Sequence, residues 1–159
     1  MRIQIISVGK LKEKYLRQAA DEYLKRLGPY AKVEVMEVAE EKAQEPVHES
    51  EIARILEQEG GRILRLVHPN SYVTALAIKG KSLSSPAFAD KLHQLATYGN
   101  SHLTFIIGGS YGLAREVLRR ADFHLSFSAM TFPHQLIRIF LLEQIYRACK
   151  INRGEAYHK

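Results

Sequence analysis

Three stretches of this 159-residue chain concentrate groups able to do chemistry. The chain end, residues 152–159, brings together an aromatic ring at Tyr157, a titratable imidazole at His158 and two cations, Arg153 and Lys159. That set suits contact with an RNA backbone and stacking on a base. Chain ends are also often frayed and idle, and composition alone leaves both readings open. Residues 126–135 offer backbone amides, hydroxyls and the rings Phe127 and Phe132 just ahead of a proline-opened helix that starts with His134. Such a loop can wrap an adenine-like ring, or simply connect a strand to a helix. Gly108-Gly109-Ser110-Tyr111-Gly112 is a turn whose backbone can approach a ligand closely. It is equally readable as a tight structural turn.

Several other chemistries fail on spacing. Gly80-Lys81-Ser82 lacks the earlier glycine of a phosphate loop, since position 75 is Ala75. Ser110 stands where a dinucleotide fingerprint needs its second glycine. One cysteine and seven scattered histidines give no metal-ligand pattern, so no metal is expected. No G-x-S-x-G nucleophile elbow occurs.

The elements that must position these stretches follow from periodicity. Residues 2–8 alternate and are rich in Ile and Val, which predicts a strand. A helix is expected over 12–27, stopped by Gly28-Pro29. A strand over 32–38, a polar loop over 39–48 and a helix over 49–66, weakened by Gly60-Gly61, come next. The apolar run 72–78 predicts a strand covered on both faces. Ser85 and Pro86 then open a helix that Gly99 ends. Strands over 103–107 and 123–126 flank a short helix over 113–121, and a final helix runs from Pro133 to about residue 150. This alternation indicates an α/β domain with a mostly parallel sheet and flanking helices, one domain over residues 1–159. The final helix is apolar around more of its girth than one face can bury, which makes it either central or part of a subunit contact.

Charge narrows the partners. Residues 33–59 hold nine Asp/Glu against two Lys/Arg, while residues 1–32 hold eight Lys/Arg against three Asp/Glu. The remainder of the chain is basic too, and such a field attracts polyanions; a merely solvated basic surface would look the same. No apolar run is long enough for a membrane helix, and a single Cys149 fits a reducing compartment, so a cytoplasmic protein with no membrane partner is expected.

Five segments resemble the RlmH family, bacterial pseudouridine N3-methyltransferases of the large ribosomal RNA within the SPOUT superfamily. They are Ile6-Ser7-Val8-Gly9-Lys10-Leu11-Lys12, Tyr23-Leu24-Lys25-Arg26-Leu27, Phe105-Ile106-Ile107 with the glycine turn, Leu125 with residues 126–135, and Arg153-Gly154-Glu155-Ala156-Tyr157-His158-Lys159. The resemblance spans essentially the whole chain and is most specific in the last two. It implies a C-terminal trefoil knot within about residues 70–159, where the strand-and-helix reading gives a plain doubly wound sheet. It further implies a homodimer, S-adenosylmethionine as cofactor, and the 23S rRNA of the assembled ribosome as substrate, at position 1915. Its cofactor contacts carry over onto Leu76, Gly108, Phe127, Ser128, Ala129, Met130, Thr131 and Phe132. For the chemistry, His134 and His158 become candidates for the general base, Tyr157 for orienting the base, and Arg138 for stabilising charge. Arg153 and Lys159 become candidate RNA contacts.

Overall fold

The computed structural model describes all residues, Met1–Lys159. The elements run β1 Arg2–Val8, α1 Lys14–Leu27, β2 Lys32–Val38, α2 Glu49–Leu66, β3 Tyr72–Ser82, α3 Ser85–Thr97, β4 His102–Ile107, α4 Arg115–Arg120, β5 Phe123–Ser126 and α5 His134–Asn152. All strand pairings in the five-stranded sheet are parallel, in the order β2-β1-β4-β3-β5.

A parallel sheet must be covered on both faces. Neighbouring strand residues point to opposite sides, so Ile3 and Ile5 join Leu103, Phe105, Leu125, Leu141 and Ile145 in one core, with α1, α3 and α5 over it. Ile6 and Val8 join Val73, Ile106 and Val117 in a second core under α2 and α4. Helix α5 packs between α1 and α3, which explains its broad apolar girth on the single-chain level, while Phe140 stays 40% exposed.

Several boundaries differ from the sequence expectation, each for a local reason. Helix α1 begins at Lys14, not at 12, because Leu11 is buried in the core and the chain crosses the sheet end before coiling. Ser84, one residue earlier than expected, caps α3 by accepting from the Ala87 N–H at 3.1 Å, which puts Pro86 at the second helical position. Strand β3 continues past residue 78 to Ser82 through an irregularity between Leu76 and Lys81, both of which face Leu125 of β5. Gly80 permits this, since a Cβ there would lie 2.6 Å from the carbonyl oxygen of His124. The Gly60 of α2, expected to weaken its helix, lets α4 approach; a Cβ would lie 2.9 Å from that of Ala114. That packing seats the glycine turn, which lies between β4 and α4.

Candidate functional site

A cavity of about 550 Å³ opens beyond the carboxyl ends of β3, β4 and β5. Three separate segments line it: Leu76 to Lys79 where β3 bows, the glycine turn with Leu113, and the loop from Phe127 into the first turn of α5. Position and size are those of a small-molecule site in an open α/β sheet.

The turn is shaped by close approach. A Cβ on Gly108 would strike the carbonyl of Gly112, and one on Gly109 would lie 3.0 Å from Val8. Gly112 itself sits at φ +89°, a left-handed conformation in which a side chain is strained. The opposite wall is held by its own hydroxyls. Ser126 donates to the carbonyl oxygen of Ser128 at 3.1 Å, and the Met130 N–H donates to Ser128 Oγ at 3.0 Å. These bonds fix the loop before any ligand arrives, while Met130, 72% exposed, projects at the rim.

Of the residues singled out from the sequence, Leu76, Gly108, Phe127, Ser128, Met130, Thr131, Phe132 and His134 line this one cavity; Ala129 belongs to the loop but does not line it. Position 138 requires a correction. Arg138, the candidate for stabilising charge on the substrate, is only 3% exposed and is spent on the fold. Its guanidinium donates to Glu37 at 2.6 Å, to Ser7 Oγ at 3.0 Å and to the Gly9 carbonyl oxygen at 3.0 Å. It ties α5 to the end of β1 from beneath. Buried cations survive when so paired.

The chain end forms a second cluster. Gly154 at φ +67° reverses the chain. Glu155 then accepts from the Tyr30 hydroxyl at 2.7 Å and from Lys150 at 2.8 Å, so its carboxylate ionises more readily than usual. The Tyr157 ring packs edge-on against Tyr146 at 4.9 Å, and its hydroxyl donates to Glu143 at 2.6 Å. That bond and burial push the phenol up to about 12, so it remains a donor at neutral pH. The Arg147 guanidinium, paired with Glu143 at 2.8 Å, stacks over Tyr157 and donates to His158 Nδ1 at 3.1 Å. Arg153 lies over the Tyr30 ring and donates to the Pro29 carbonyl oxygen, with Lys159 exposed beyond it. Glu143 and Arg147, one helical turn apart on α5, thus grip the tail, a role that an i,i+4 spacing does not reveal.

The cavity takes the first turn of α5, and the tail cluster is anchored from the helix midpoint onward, at Glu143 and Arg147. Glu143 follows His134 by nine residues, about 14 Å of rise and half a turn of net rotation. No tail residue lines the cavity of its own chain.

Comparison with known proteins bears on what such a molecule does. Residues 1–158 match a family described as "Predicted SPOUT methyltransferase". A protein of Bacillus cytotoxicus called ribosomal RNA large subunit methyltransferase H is 59% identical over 159 residues, covering all of both chains. A protein of the same name from Carboxydothermus hydrogenoformans is 57% identical, again over the full length of both. Among solved structures, a probable methylase family protein from Haemophilus influenzae is similar with a TM-score of 0.54 at 13% identity, over 99% of this chain and 70% of that one. A putative methyltransferase from Legionella pneumophila, determined with bound SAM, is similar with a TM-score of 0.50 at 12% identity, over 93% of this chain and 66% of that one.

Proposed function

The chain belongs to the SPOUT methyltransferase family, and from that premise we propose that it methylates the large ribosomal RNA, using S-adenosylmethionine, at N3 of a pseudouridine, position 1915 of the 23S molecule. The observation that carries this reading is the convergence of three separated segments on one preorganised cavity, in a chain 59% identical to a large-subunit rRNA methyltransferase. We further propose that it works as a homodimer in the bacterial cytoplasm, on assembled ribosomes, and that the chain between β3 and α5 forms the family's trefoil knot.

The cavity fits the methyl donor. Its volume suits a nucleoside with an amino-acid arm. The glycine turn offers backbone where a Cβ would intrude, and Phe127, Met130 and Phe132 offer apolar cover for a heterocycle. Leu76, Gly108 and residues 127–132 would hold it. When bound, it supplies an electrophilic methyl group.

The chain's own residues must then handle a proton. N3 of the base is an imide and becomes strongly nucleophilic only as its proton leaves. His134 lines the cavity and is the proton acceptor in this proposal. His158 has a different part. Because its Nδ1 accepts from Arg147, the neutral ring carries its proton on Nε2 and presents a donor. With Arg147 it stabilises charge building on the base carbonyls, and Tyr157 holds the ring plane. Since the tail is anchored from the midpoint of α5 onward and lines no part of its own cavity, in this proposal it serves the partner's cavity across a subunit contact. The exposed Phe140 and the adjoining hollow of about 260 Å³ beside Phe127, Phe132 and Leu83 mark an apolar surface for that contact.

The test is labelled methyl transfer to ribosomes from a strain lacking the endogenous enzyme, followed by nucleoside identification. N3-methylpseudouridine at one large-subunit site is the expected product. A labelled ribose or another base would overturn the assignment, and equal transfer to protein-free RNA would overturn the ribosome as substrate.

A further inference from the structure

The rim of the cavity is electrically polarised. The β2–α2 turn contributes Glu40, which accepts from Ser110 at 3.3 Å; its Oε2 lies 3.6 Å from where a Cβ on Gly9 would stand. His134 Nε2 lies 3.5 Å from the same point, so Gly9 marks the rim of the cavity that His134 lines. Directly after Gly9, the connection into α1 carries Lys10 and Lys12 and the first turn of α1 carries Lys14, all exposed, followed by Tyr15 at 67% exposure. Glu13 is the one acid among them.

This connection is rigid before any partner arrives. Leu11 is buried in the core between the first two lysines. Arg17 donates to the carbonyl oxygens of Leu11 at 3.1 Å and Lys12 at 2.7 Å. The Lys12 N–H donates to Gln135 of α5 at 3.4 Å, next in sequence to His134. Like every lysine but Lys150, the three have no carboxylate partner; what sets them apart is their spacing on one braced segment beside the cavity rim. Three free ammonium groups on a braced loop, beside an exposed ring, have the composition of a nucleic-acid contact.

We propose that the turn from Lys10 to Tyr15 is a docking ridge for the RNA substrate, with the three lysines on backbone phosphates flanking the methylated nucleotide and Tyr15 against an unpaired neighbouring base. This rests on the reading of the chain as an rRNA methyltransferase. A strand that places one base in the cavity must lead its backbone out over the rim. The Glu40 carboxylate on the β2 side repels phosphates, so the α1 side is the exit. The ridge differs from the tail in needing no second subunit to reach its own cavity.

The probe is the wild-type protein against Lys10→Gln/Lys12→Gln/Lys14→Gln, with Tyr15→Ala separately, using ribosomes as methyl acceptor across a salt series. Removing three phosphate contacts should raise KM for ribosomes about tenfold or more at low salt and reduce the log–log salt slope by about 2. Cofactor affinity, read by calorimetry, should stay unchanged and so certify the fold. Tyr15→Ala should raise KM about fivefold with the slope intact, the signature of lost stacking. A triple variant with normal cofactor affinity and an unaltered slope overturns the ridge. So does a slope altered with ribosomes but not with an RNA fragment that wild type binds, since the lysines would then contact an acidic protein. Absence of any transfer by the wild-type chain overturns the underlying reading together with the ridge.

Discussion

At the N-terminal end of α5 the molecule presents backbone and apolar surface, locked by glycine close approaches and by the hydroxyls of Ser126 and Ser128. From its midpoint to the chain end it presents side-chain charge and rings, with Tyr157, His158, Arg147 and Glu143 each held by another member of the same cluster. The first end is suited to holding a ligand of fixed shape, because backbone contacts neither titrate nor change rotamer. The second is suited to stabilising charge, while His134, the proton acceptor of the proposal, stands at the first. One helix of 19 residues keeps the two apart. In the proposed dimer the two meet between chains, the tail of one beside the cavity of the other.

That contrast predicts opposite phenotypes for single substitutions at the two ends. Gly108→Ala should abolish cofactor binding, by at least about 100-fold or some 3 kcal/mol, because the new methyl strikes the Gly112 carbonyl. His158→Ala should leave cofactor affinity within twofold while methyl transfer falls about 100- to 1,000-fold. Calorimetry and single-turnover methylation separate the two. Equal loss of cofactor affinity in both variants would erase the distinction.

Arg138 braces the cavity half of α5 against the end of β1 and has no bond to the tail. Arg138→Met leaves Glu37 and the Gly9 carbonyl without their cation, and should cost about 3 kcal/mol, at the low end for breaking a buried pair because Glu37 keeps contact with water. For a chain of this length that is a fall in Tm of about 6–12 °C, seen by thermal unfolding. An unchanged Tm would mean the guanidinium is not the tie it looks to be.

How far the two ends were legible in the sequence differs in an instructive way. The bounds of β1, β2, α2 and β5 follow from alternation and apolar spacing, and the structure has them at the same residues. The glycine turn and the loop stood out as segments, but their residues alone left a plain connection open; the family resemblance joined them, and Leu76 came from that resemblance alone. The bow in β3 was not legible, because an irregularity opposite Leu125 depends on which strand lies alongside, and periodicity carries no strand order. The burial of Arg138 was hidden too. Nothing in the spacing of α5 reveals that Glu37 and Ser7, more than a hundred residues earlier, converge on that position. The tail's residue types were visible, but its distance from the cavity is a property of the fold alone.

Two smaller effects sharpen the picture. Tyr157→Phe removes the bond to Glu143 and should slow methyl transfer about tenfold through a looser tail. The pH profile between 6 and 9 should keep its shape, because a phenol held up to about 12 stays protonated throughout; the bond's stability is present at neutral pH and is lost only as pH rises through that value. A changed profile would assign Tyr157 a proton-transfer role. Glu59, 3% exposed, accepts from the Glu41 N–H and is pushed up by burial. Its ionisation costs stability as pH rises above the ordinary carboxylate value. Glu59→Gln should therefore raise Tm by about 2–4 °C at pH 8 and by less at pH 5. A larger gain at pH 5 would reverse that sign.

Complementation reads the partnership of the two ends most directly. Co-expressed Gly108→Ala and His158→Ala chains, each inactive alone, pair at random. If a tail serves its partner's cavity, half the dimers are mixed and each has one intact site, so about a quarter of wild-type methyl transfer returns. If each tail serves its own chain, every site in the mixture carries a defect and no activity returns; that result would contradict the account.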